Sequence, residues 1–175
     1  MLKGVFDSTF LEDHRSITKS MAIWGGLVVL LLSTGLTSIS AATPTRDITG
    51  IWMPEDGESA IEISACGSAR CGRVIWLKSP HDKSGRPVLD DNNPDTSLRS
   101  RLICNLQIII ALKPQSDGTW SQGRIYDPED GRSYDAEAQL DQPDVLKVTG
   151  YLGIKTLGET VTWRRTAAPG RCGER

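Results

Sequence analysis

Short strand-like segments joined by turns of hairpin length occupy most of residues 48–165 of this 175-residue chain. Apolar and polar side chains alternate within them with the period of a β-strand. Pro, Asp and Gly cluster between the segments, which is typical of turns. The pattern predicts eight strands, at residues 48–53, 60–65, 73–77, 106–112, 119–126, 133–140, 145–152 and 157–165. Eight antiparallel strands close naturally into an all-β, up-and-down barrel that is filled by side chains or holds one small ligand; a two-sheet sandwich is the alternative.

Two tryptophan motifs bracket these segments, and they predict how the barrel closes. Gly50-Ile51-Trp52 lies in the first segment and Trp163-Arg164-Arg165 in the last. We expect the first strand to pair with the last, and an arginine to lie over Trp52. Arg165 shares the strand parity of Trp163, so it is the expected partner rather than Arg164. Trp52, Trp163 and Arg165 are therefore assigned to barrel closure.

Residues 1–42 have the parts of a secretory signal peptide. An apolar run at residues 23–32 is too short to span a bilayer comfortably. Arg15 and Lys19 precede the run, and Ser40-Ala41-Ala42 follows it as a small-residue cleavage site. Cleavage leaves one domain at residues 43–175, periplasmic or secreted, with no stable membrane span. A retained membrane anchor is the alternative, and the start at Met1 or Met21 stays open.

The charge balance and the motifs exclude several classes of function. The net charge is −2 at pH 7, which argues against nucleic acid and against an anionic membrane as the main partner. The chain has neither a phosphate-binding loop nor a Gly-rich dinucleotide motif, so we expect no cofactor. The partner is expected to be an unknown small molecule or an envelope protein.

All four cysteines follow the leader, and export makes them disulfide candidates. Cys66 and Cys71 flank a loop of hairpin size, and Cys104 and Cys172 then remain to tie mid-chain to the C-terminal tail. A zinc site is the competing interpretation. It lacks paired Cys-x-x-Cys spacing, and His81 is the only histidine after residue 42.

The connection at residues 78–105 is much longer than the other turns and is either functional or a plug at one end of the barrel. Asn93 as N-cap and Pro94 as the first helical residue predict a short helix through Arg99. Asp90, Asn93, Asp95 and Arg99 are the candidate partner-binding residues of this loop.

Two acidic clusters resemble chemical sites but are better explained as turns. Asp91, Asn93 and Asp95 fall at calcium-loop positions one, three and five, but Thr96 and Leu102 break the pattern, so we predict no metal. Asp127, Glu129 and Asp130 lie in an Asp-Pro-x-Asp-Gly pattern, which is typical of an ordinary turn. His81 has no nucleophile motif nearby. We therefore assign no catalytic residue and expect no enzyme.

Strand parity places charged residues beside apolar ones. Arg124 shares a face with Trp120 and Tyr126, Arg73 with Ile75 and Leu77, and Glu159 with Trp163. If these faces line the barrel, the charges would pair or hold a polar ligand; otherwise the faces are exposed, or a bulge shifts the parity. The ligand-binding candidates are Arg73, Trp76, Trp120, Arg124, Tyr126 and Glu159.

Several motifs in one order resemble the bacterial domain of unknown function 2147 family. They are Gly50-x-Trp52, Cys66-Gly67…Cys71-Gly72-Arg73-Val74-Ile75-Trp76-Leu77, Asp91-x-Asn93-Pro94-Asp95, Gly123-x-Ile125-Tyr126-Asp127-Pro128-Glu129-Asp130-Gly131-x-x-Tyr134 and Gly150-Tyr151-x-Gly153…Gly158-x-Thr160-x-Thr162-Trp163-x-Arg165. The resemblance implies a small exported β protein and no function. The family usually has glycine where this chain has Asn105, so we expect an altered turn after Cys104. The Gly-x-Trp and the terminal Arg are also similar to the closure of lipocalin-type barrels.

Three functions follow as hypotheses. The leading one is a non-enzymatic barrel that binds a small, partly apolar ligand, and it expects a cavity in the core. The second is an envelope interaction or structural module that acts through the loop at residues 78–101. The third is an enzyme that uses Asp127, Glu129 or Asp130, and it expects those carboxylates to line a cleft.

Overall fold

The computed structural model describes residues 46–173, which form a closed antiparallel barrel of eight strands in chain order. The strands are β1 (Gly50–Pro54), β2 (Ser59–Cys66), β3 (Ala69–Leu77), β4 (Gln107–Pro114), β5 (Trp120–Asp127), β6 (Arg132–Gln142), β7 (Val145–Tyr151) and β8 (Glu159–Arg165). The predicted eight-stranded barrel is confirmed, and the sandwich is not formed. The predicted signal peptide lies outside the described residues.

Bulky side chains occupy the inner face of the barrel. Residues opposite each other on paired strands share a face, and the register follows one face around the barrel. Trp52 lies opposite Ile61, Trp163 opposite Leu146, and Trp120 opposite Ala138. The three tryptophans expose 0–4% of their surface and belong to one continuous apolar cluster. Burial of this cluster is the main force that holds the barrel closed.

The segment before β1 packs against one end of the barrel. Ile48 is fully buried. Trp52 Nε1 donates a hydrogen bond to the Ile48 carbonyl at 2.9 Å, and Trp120 Nε1 donates to the Arg46 carbonyl at 2.9 Å. Both indole donors are thus satisfied by backbone, as buried polar groups require.

Arg165 lies over Trp52, as the strand parity predicts. The two residues are opposite each other where β1 pairs with β8, and the guanidinium carbon is 4.2 Å from the ring centroid. Arg165 also donates to the carbonyls of Thr49, at 2.7 Å, and Pro143, at 3.0 Å. One side chain therefore joins the chain before β1, the β6–β7 turn and β8.

Both predicted disulfides are present. Cys66–Cys71 links the paired ends of β2 and β3, and Cys104–Cys172 links the long connection to the C-terminal tail. The Cys172 amide donates to the Ile75 carbonyl of β3 at 2.6 Å. The tail is therefore attached to the barrel by a covalent bond and by backbone.

A bulge in β3 overturns the parity predicted for Arg73. Two neighbouring residues of β2, Ala60 and Ile61, lie opposite Trp76 and Val74, so β3 carries one extra residue at Ile75. Arg73 is thereby exposed on the outer face and does not line the barrel. Arg73 therefore does not share a face with Ile75 and Leu77, and the alternative of a bulge that shifts the parity applies, because a bulge exchanges the faces of the residues beyond it.

Matching irregularities in β4 and β5 overturn two further parity predictions. Ala111 and Gln122 both have positive φ, at 54° and 57°. Period-two alternation in the sequence predicts one shared face for Leu106, Ile108, Ile110 and Leu112. Ile110 is instead 41% exposed while Ile109 is buried, so this single face does not form. Arg124 lies opposite Ile110 on the outer face and is exposed, away from the inward face of Trp120.

The short helix predicted in the long connection is a single 3₁₀ turn, Thr96–Leu98, and its N-cap is Asp95. Asp95 Oδ1 accepts the Ser97 amide at 2.9 Å. Asn93, the predicted cap, instead accepts the Asp95 amide at 2.9 Å through Oδ1. An Asx turn thus comes first, and the cap falls two residues later than predicted.

Asn105 adopts the backbone conformation that a glycine would supply. Its φ is 67°, and its amide donates to the Val74 carbonyl at 2.8 Å. Asparagine is one of the few non-glycine residues that tolerate this left-handed region. The predicted alteration of the turn after Cys104 is therefore unnecessary, because Asn105 can take the left-handed conformation itself.

Candidate functional site

A cleft of about 500 Å³ lies on the outside of the barrel. The long connection forms one wall, and the outer faces of β4, β5 and β6 form the other. Its lining residues are Asn93, Pro94, Leu98, Arg101, Gln107, Ile110, Tyr126, Gly131, Arg132, Ser133 and Leu152. Its size is within the range of small-molecule sites.

A buried polar network attaches the long connection to β5. Asp90 is fully buried, and Tyr126 Oη donates to its Oδ1 at 2.6 Å. Asn93 Nδ2 donates both to Asp90 Oδ2, at 2.8 Å, and to Tyr126 Oη, at 2.9 Å. Arg101 Nη2 donates to Asp90 Oδ2 at 2.5 Å. Every polar side chain in this network has a partner, which is what makes burying the Asp90 charge tolerable.

Tyr126 stays protonated within this network. Burial, with the neighbouring Asp90 carboxylate, raises the pKa of Tyr126 to about 12. The phenol is therefore a hydrogen-bond donor to Asp90 throughout the physiological range. The guanidinium carbon of Arg101 is 5.9 Å from the ring centroid of Tyr126, at one side of the cleft.

The long connection also docks on the β5–β6 turn. Asn92 Nδ2 donates to the Glu129 carbonyl at 2.7 Å. Gly131 has φ of 72°, and a Cβ at this position would come within 1.9 Å of the Asn92 carbonyl oxygen. Only glycine permits this approach, so the base of the cleft depends on Gly131.

Of the six predicted ligand residues, the structure places Tyr126 in the cleft. Trp120 is buried in the core. Arg73 and Arg124 are exposed on the outer face, and Trp76 is half-buried. Glu159 keeps its inward parity: it lies opposite Gly150 and is half-buried. The six side chains therefore do not form one site.

The loop candidates divide into two pairs. Asp90 and Asn93 are buried, at 0% and 5% exposure, so they present little surface to a partner. Asp95 and Arg99 are exposed, but Asp95 caps the 3₁₀ turn and Arg99 Nε donates to the Asn93 carbonyl at 2.7 Å. Asn93 and Asp95 occupy two of the three calcium-loop positions. In each, a side-chain oxygen accepts a hydrogen bond from a nearby backbone amide.

The acidic turn after β5 has an unusual member in Asp127. It exposes 5% of its surface, and burial raises its pKa to about 6. Its Oδ1 accepts the Glu129 amide at 2.8 Å, and Asp130 Oδ1 accepts the Arg132 amide at 2.8 Å. Two of the three predicted carboxylates therefore make the turn hydrogen bonds expected of an Asp-Pro-x-Asp-Gly sequence.

Replacing Asp127 with Asn should stabilise the protein at neutral pH. The folded state holds the Asp127 proton more tightly than the unfolded state does. Protonated Asp127 therefore contributes stability that is fully present below about pH 4 and is lost as the pH rises through its folded-state pKa of about 6. We expect Asp127→Asn to match the parent near pH 4 and to exceed it by about 2 kcal/mol at pH 8, in urea unfolding curves.

Asp117→Asn is the control, because the opposite change in stability is expected for it. The amide and hydroxyl of Thr119 donate to Asp117 Oδ1, and these hydrogen bonds lower the pKa of Asp117. This variant should be less stable than the parent at neutral pH, with the difference shrinking in acid. A stability gain for Asp127→Asn that is as large at pH 4 as at pH 8 would contradict the account.

Comparison with known proteins gives a family and a fold. The sequence model of the DUF2147 family, described as an uncharacterized protein conserved in bacteria, matches residues 50–165. The solved structure of protein HP1028 from Helicobacter pylori, described as belonging to the lipocalin family, matches with a TM-score of 0.61 and 20% identity over 70% of this chain and 84% of that one. The comparison with curated proteins gave no match. In residues 46–173, no helix is long and apolar enough to cross a membrane.

Proposed function

The chain belongs to the DUF2147 family of uncharacterized bacterial proteins, and on this premise we propose that it is a non-enzymatic binding protein for a small, partly apolar ligand. The observation that supports the proposal is the outer cleft. It combines apolar side chains with a few convergent polar groups on a rigid support, the composition typical of ligand sites. The proposed site lies outside the barrel, between the long connection and β4–β6.

The packing of the barrel favours this location over the interior. The inner face carries three tryptophans that are buried to 96% or more, so their side chains pack against other groups and do not line an open interior. The wall of the cleft, by contrast, leaves Ile110 and Leu152 exposed by 41% and 64%. Exposed aliphatic surface beside hydrogen-bonding groups is what a partly apolar ligand would cover.

The cellular location proposed for the protein is the periplasm. Two disulfides in the barrel domain are compatible with an exported protein, because disulfides persist in oxidising compartments. The sequence of residues 1–42 supports export through a cleaved signal peptide. Mass spectrometry of the N-terminus of protein taken from a periplasmic extract tests this, and an N-terminus at Thr43 is the expected result.

Native mass spectrometry of the protein purified from its own periplasm tests the proposed function. We expect a bound small molecule in the parent and its loss in Ile110→Asp, because a carboxylate in the cleft wall would be desolvated by an apolar ligand. Ile154→Asp is the matched control, since Ile154 is a similarly exposed aliphatic residue outside the cleft lining. Circular dichroism checks that both variants are folded.

Two outcomes would overturn the proposal. One is a parent protein that carries no small molecule and takes none up from a periplasmic extract. The other is a bound molecule that Ile110→Asp retains as fully as Ile154→Asp does. The second result would place the ligand elsewhere, with the inner face of the barrel as the first alternative.

The alternative function, partner binding through residues 78–101, loses part of its support. Its predicted contacts included Asp90 and Asn93, and both are buried against Tyr126. The loop's best-defined interactions are with its own barrel, which is the behaviour of a structural wall. Of the four predicted contacts, Asp95 and Arg99 remain exposed to a partner.

A further inference from the structure

We propose that the ligand of the cleft is an amphipathic anion, with an acid group at Arg101 and Arg132 and an aliphatic part on Ile110 and Leu152. This inference rests on the proposed function and specifies the chemical class of its ligand. A carboxylate, phosphate or sulfonate would satisfy the same contacts, so the acid group is defined by its charge.

The charge of the cleft lining is opposite to that of the whole chain. The lining contains Arg101 and Arg132 but no Asp or Glu, whereas the chain carries a net charge of −2. The charge of Arg101 is balanced by Asp90, whose Oδ2 lies 2.5 Å away behind the lining. The excess positive charge that favours an anion at this place therefore comes from Arg132. Arginine is well suited to the role, because its planar guanidinium matches the geometry of carboxylate and phosphate groups.

Arg101 is held in position and keeps donors for a ligand. Its Nε and Nη2 both donate to Asp90 Oδ2, at 3.2 and 2.5 Å. A guanidinium has five N–H donors, so the pair with Asp90 leaves others for an acid group. The buried carboxylate thus sets the orientation of Arg101, and Arg132, which is exposed, adds a cation from the β6 wall of the cleft.

The apolar part of the lining calls for an aliphatic segment. Ile110 projects from the outer face of β4 because the irregularity at Ala111 reverses its parity. Leu152 is 64% exposed, and Leu98 and Pro94 complete the apolar lining from the long connection. Covering this surface removes apolar area from water, which is favourable for a ligand with a hydrocarbon part.

Two carboxylates beside the cleft could instead favour a cationic ligand, so the proposal must be tested against a cation. Glu129 and Asp130 lie in the neighbouring turn, and Asp130 already accepts hydrogen bonds from Tyr134 Oη and the Arg132 amide. If these carboxylates governed the local potential, a cation would bind better than an anion. The anion proposal requires the two arginines to outweigh them.

Three probes with the same ten-carbon chain test the proposal: decanoate and decyltrimethylammonium, each below its micelle concentration, and decanol below its solubility limit. Isothermal titration of the full protein should show decanoate binding at least about tenfold more tightly than the other two, the gain expected of a charge-assisted hydrogen bond. Arg132→Gln should weaken decanoate about tenfold and leave decanol unchanged. Arg164→Gln, an exposed position on β8, is the matched control and should change neither.

The outcomes distinguish a failure of the anion preference from a failure of the proposed ligand-binding function. If decanol or decyltrimethylammonium binds as tightly as decanoate, and Ile110→Asp abolishes that binding, the cleft remains a ligand site but the anion preference is wrong. If Arg132→Gln and Arg164→Gln behave alike, the arginine assignment is also wrong. If none of the three probes binds, the inference fails, whereas the proposed function is decided by the native mass spectrometry of the parent and of Ile110→Asp.

Discussion

Replacing Asp90 with Ala should lower the free energy of unfolding by about 3 kcal/mol or more, the largest effect of a single substitution that we expect in the long connection. The substitution removes the acceptor of three side chains at once: Tyr126, Asn93 and Arg101. The first two are buried, so they lose partners that water cannot readily replace. Urea unfolding followed by tryptophan fluorescence measures the loss.

Asp82→Ala is the matched control for Asp90→Ala. Asp82 lies in the same connection and also pairs with an arginine, Arg86, at 2.9 Å, but that pair is exposed. Exposed ion pairs contribute little because water and salt screen them, so this variant should lose far less stability. Equal losses in the two variants would show that the Asp90 network does not anchor the connection.

A double variant tests whether the Asp90 carboxylate and the Tyr126 phenol are directly coupled. In Asp90→Ala combined with Tyr126→Phe, the phenol that has lost its acceptor is removed as well. Because an unsatisfied buried donor costs more than an absent one, the double variant should be less destabilised than the sum of the two single variants. Additive losses would contradict direct coupling between Asp90 and Tyr126.

Removing the Cys104–Cys172 disulfide should cost about 4 kcal/mol, and removing Cys66–Cys71 about 2 kcal/mol. The bridges close loops with sequence separations of 68 and 5 residues, and a cross-link that closes a longer loop restricts the unfolded chain more. The paired variants Cys104→Ser/Cys172→Ser and Cys66→Ser/Cys71→Ser provide the comparison, again by urea unfolding.

The order of the two disulfide effects is the informative result. The long bridge also holds the tail whose Cys172 amide bonds to β3, so its loss should release the tail to limited proteolysis near residue 170. The short bridge spans a hairpin that backbone pairing already holds. If the short bridge proves the more important of the two, loop entropy does not govern their contributions.

Most of the barrel could be predicted from the sequence because period-two alternation and turn residues are local signals. The eight strands follow from such signals. The Arg165–Trp52 contact follows from the motifs in the first and last strands, and the long disulfide from the two cysteines left once Cys66 and Cys71 are paired. The faces of β3, β4 and β5 could not be predicted. Bulges near Ile75, Ala111 and Gln122 reverse the parity, and nothing in an Ala or a Gln predicts a positive φ.

The cleft was missed because its residues are distant in sequence and carry no common motif. Arg101, Ile110 and Arg132 meet only after the long connection folds onto β5 and β6. Tyr126 was chosen as a candidate for an inward face, and it lines the outer cleft instead. Gly131 was the local signal that could have indicated the docking, because a turn glycine marks a close approach of backbone as well as a positive φ.

A titration of ¹⁵N-labelled protein with decanoate, followed in a two-dimensional ¹H–¹⁵N spectrum, tests most directly whether the ligand site is outside the barrel. The amides of Gly131 and Ser133 report on the cleft. The indole N–H of Trp163 reports on the interior, where this atom is buried without a hydrogen-bond partner among the described residues. We predict shifts at Gly131 and Ser133 and none at Trp163. A shifted Trp163 indole with unmoved Gly131 and Ser133 amides would place the ligand inside the barrel and contradict the account.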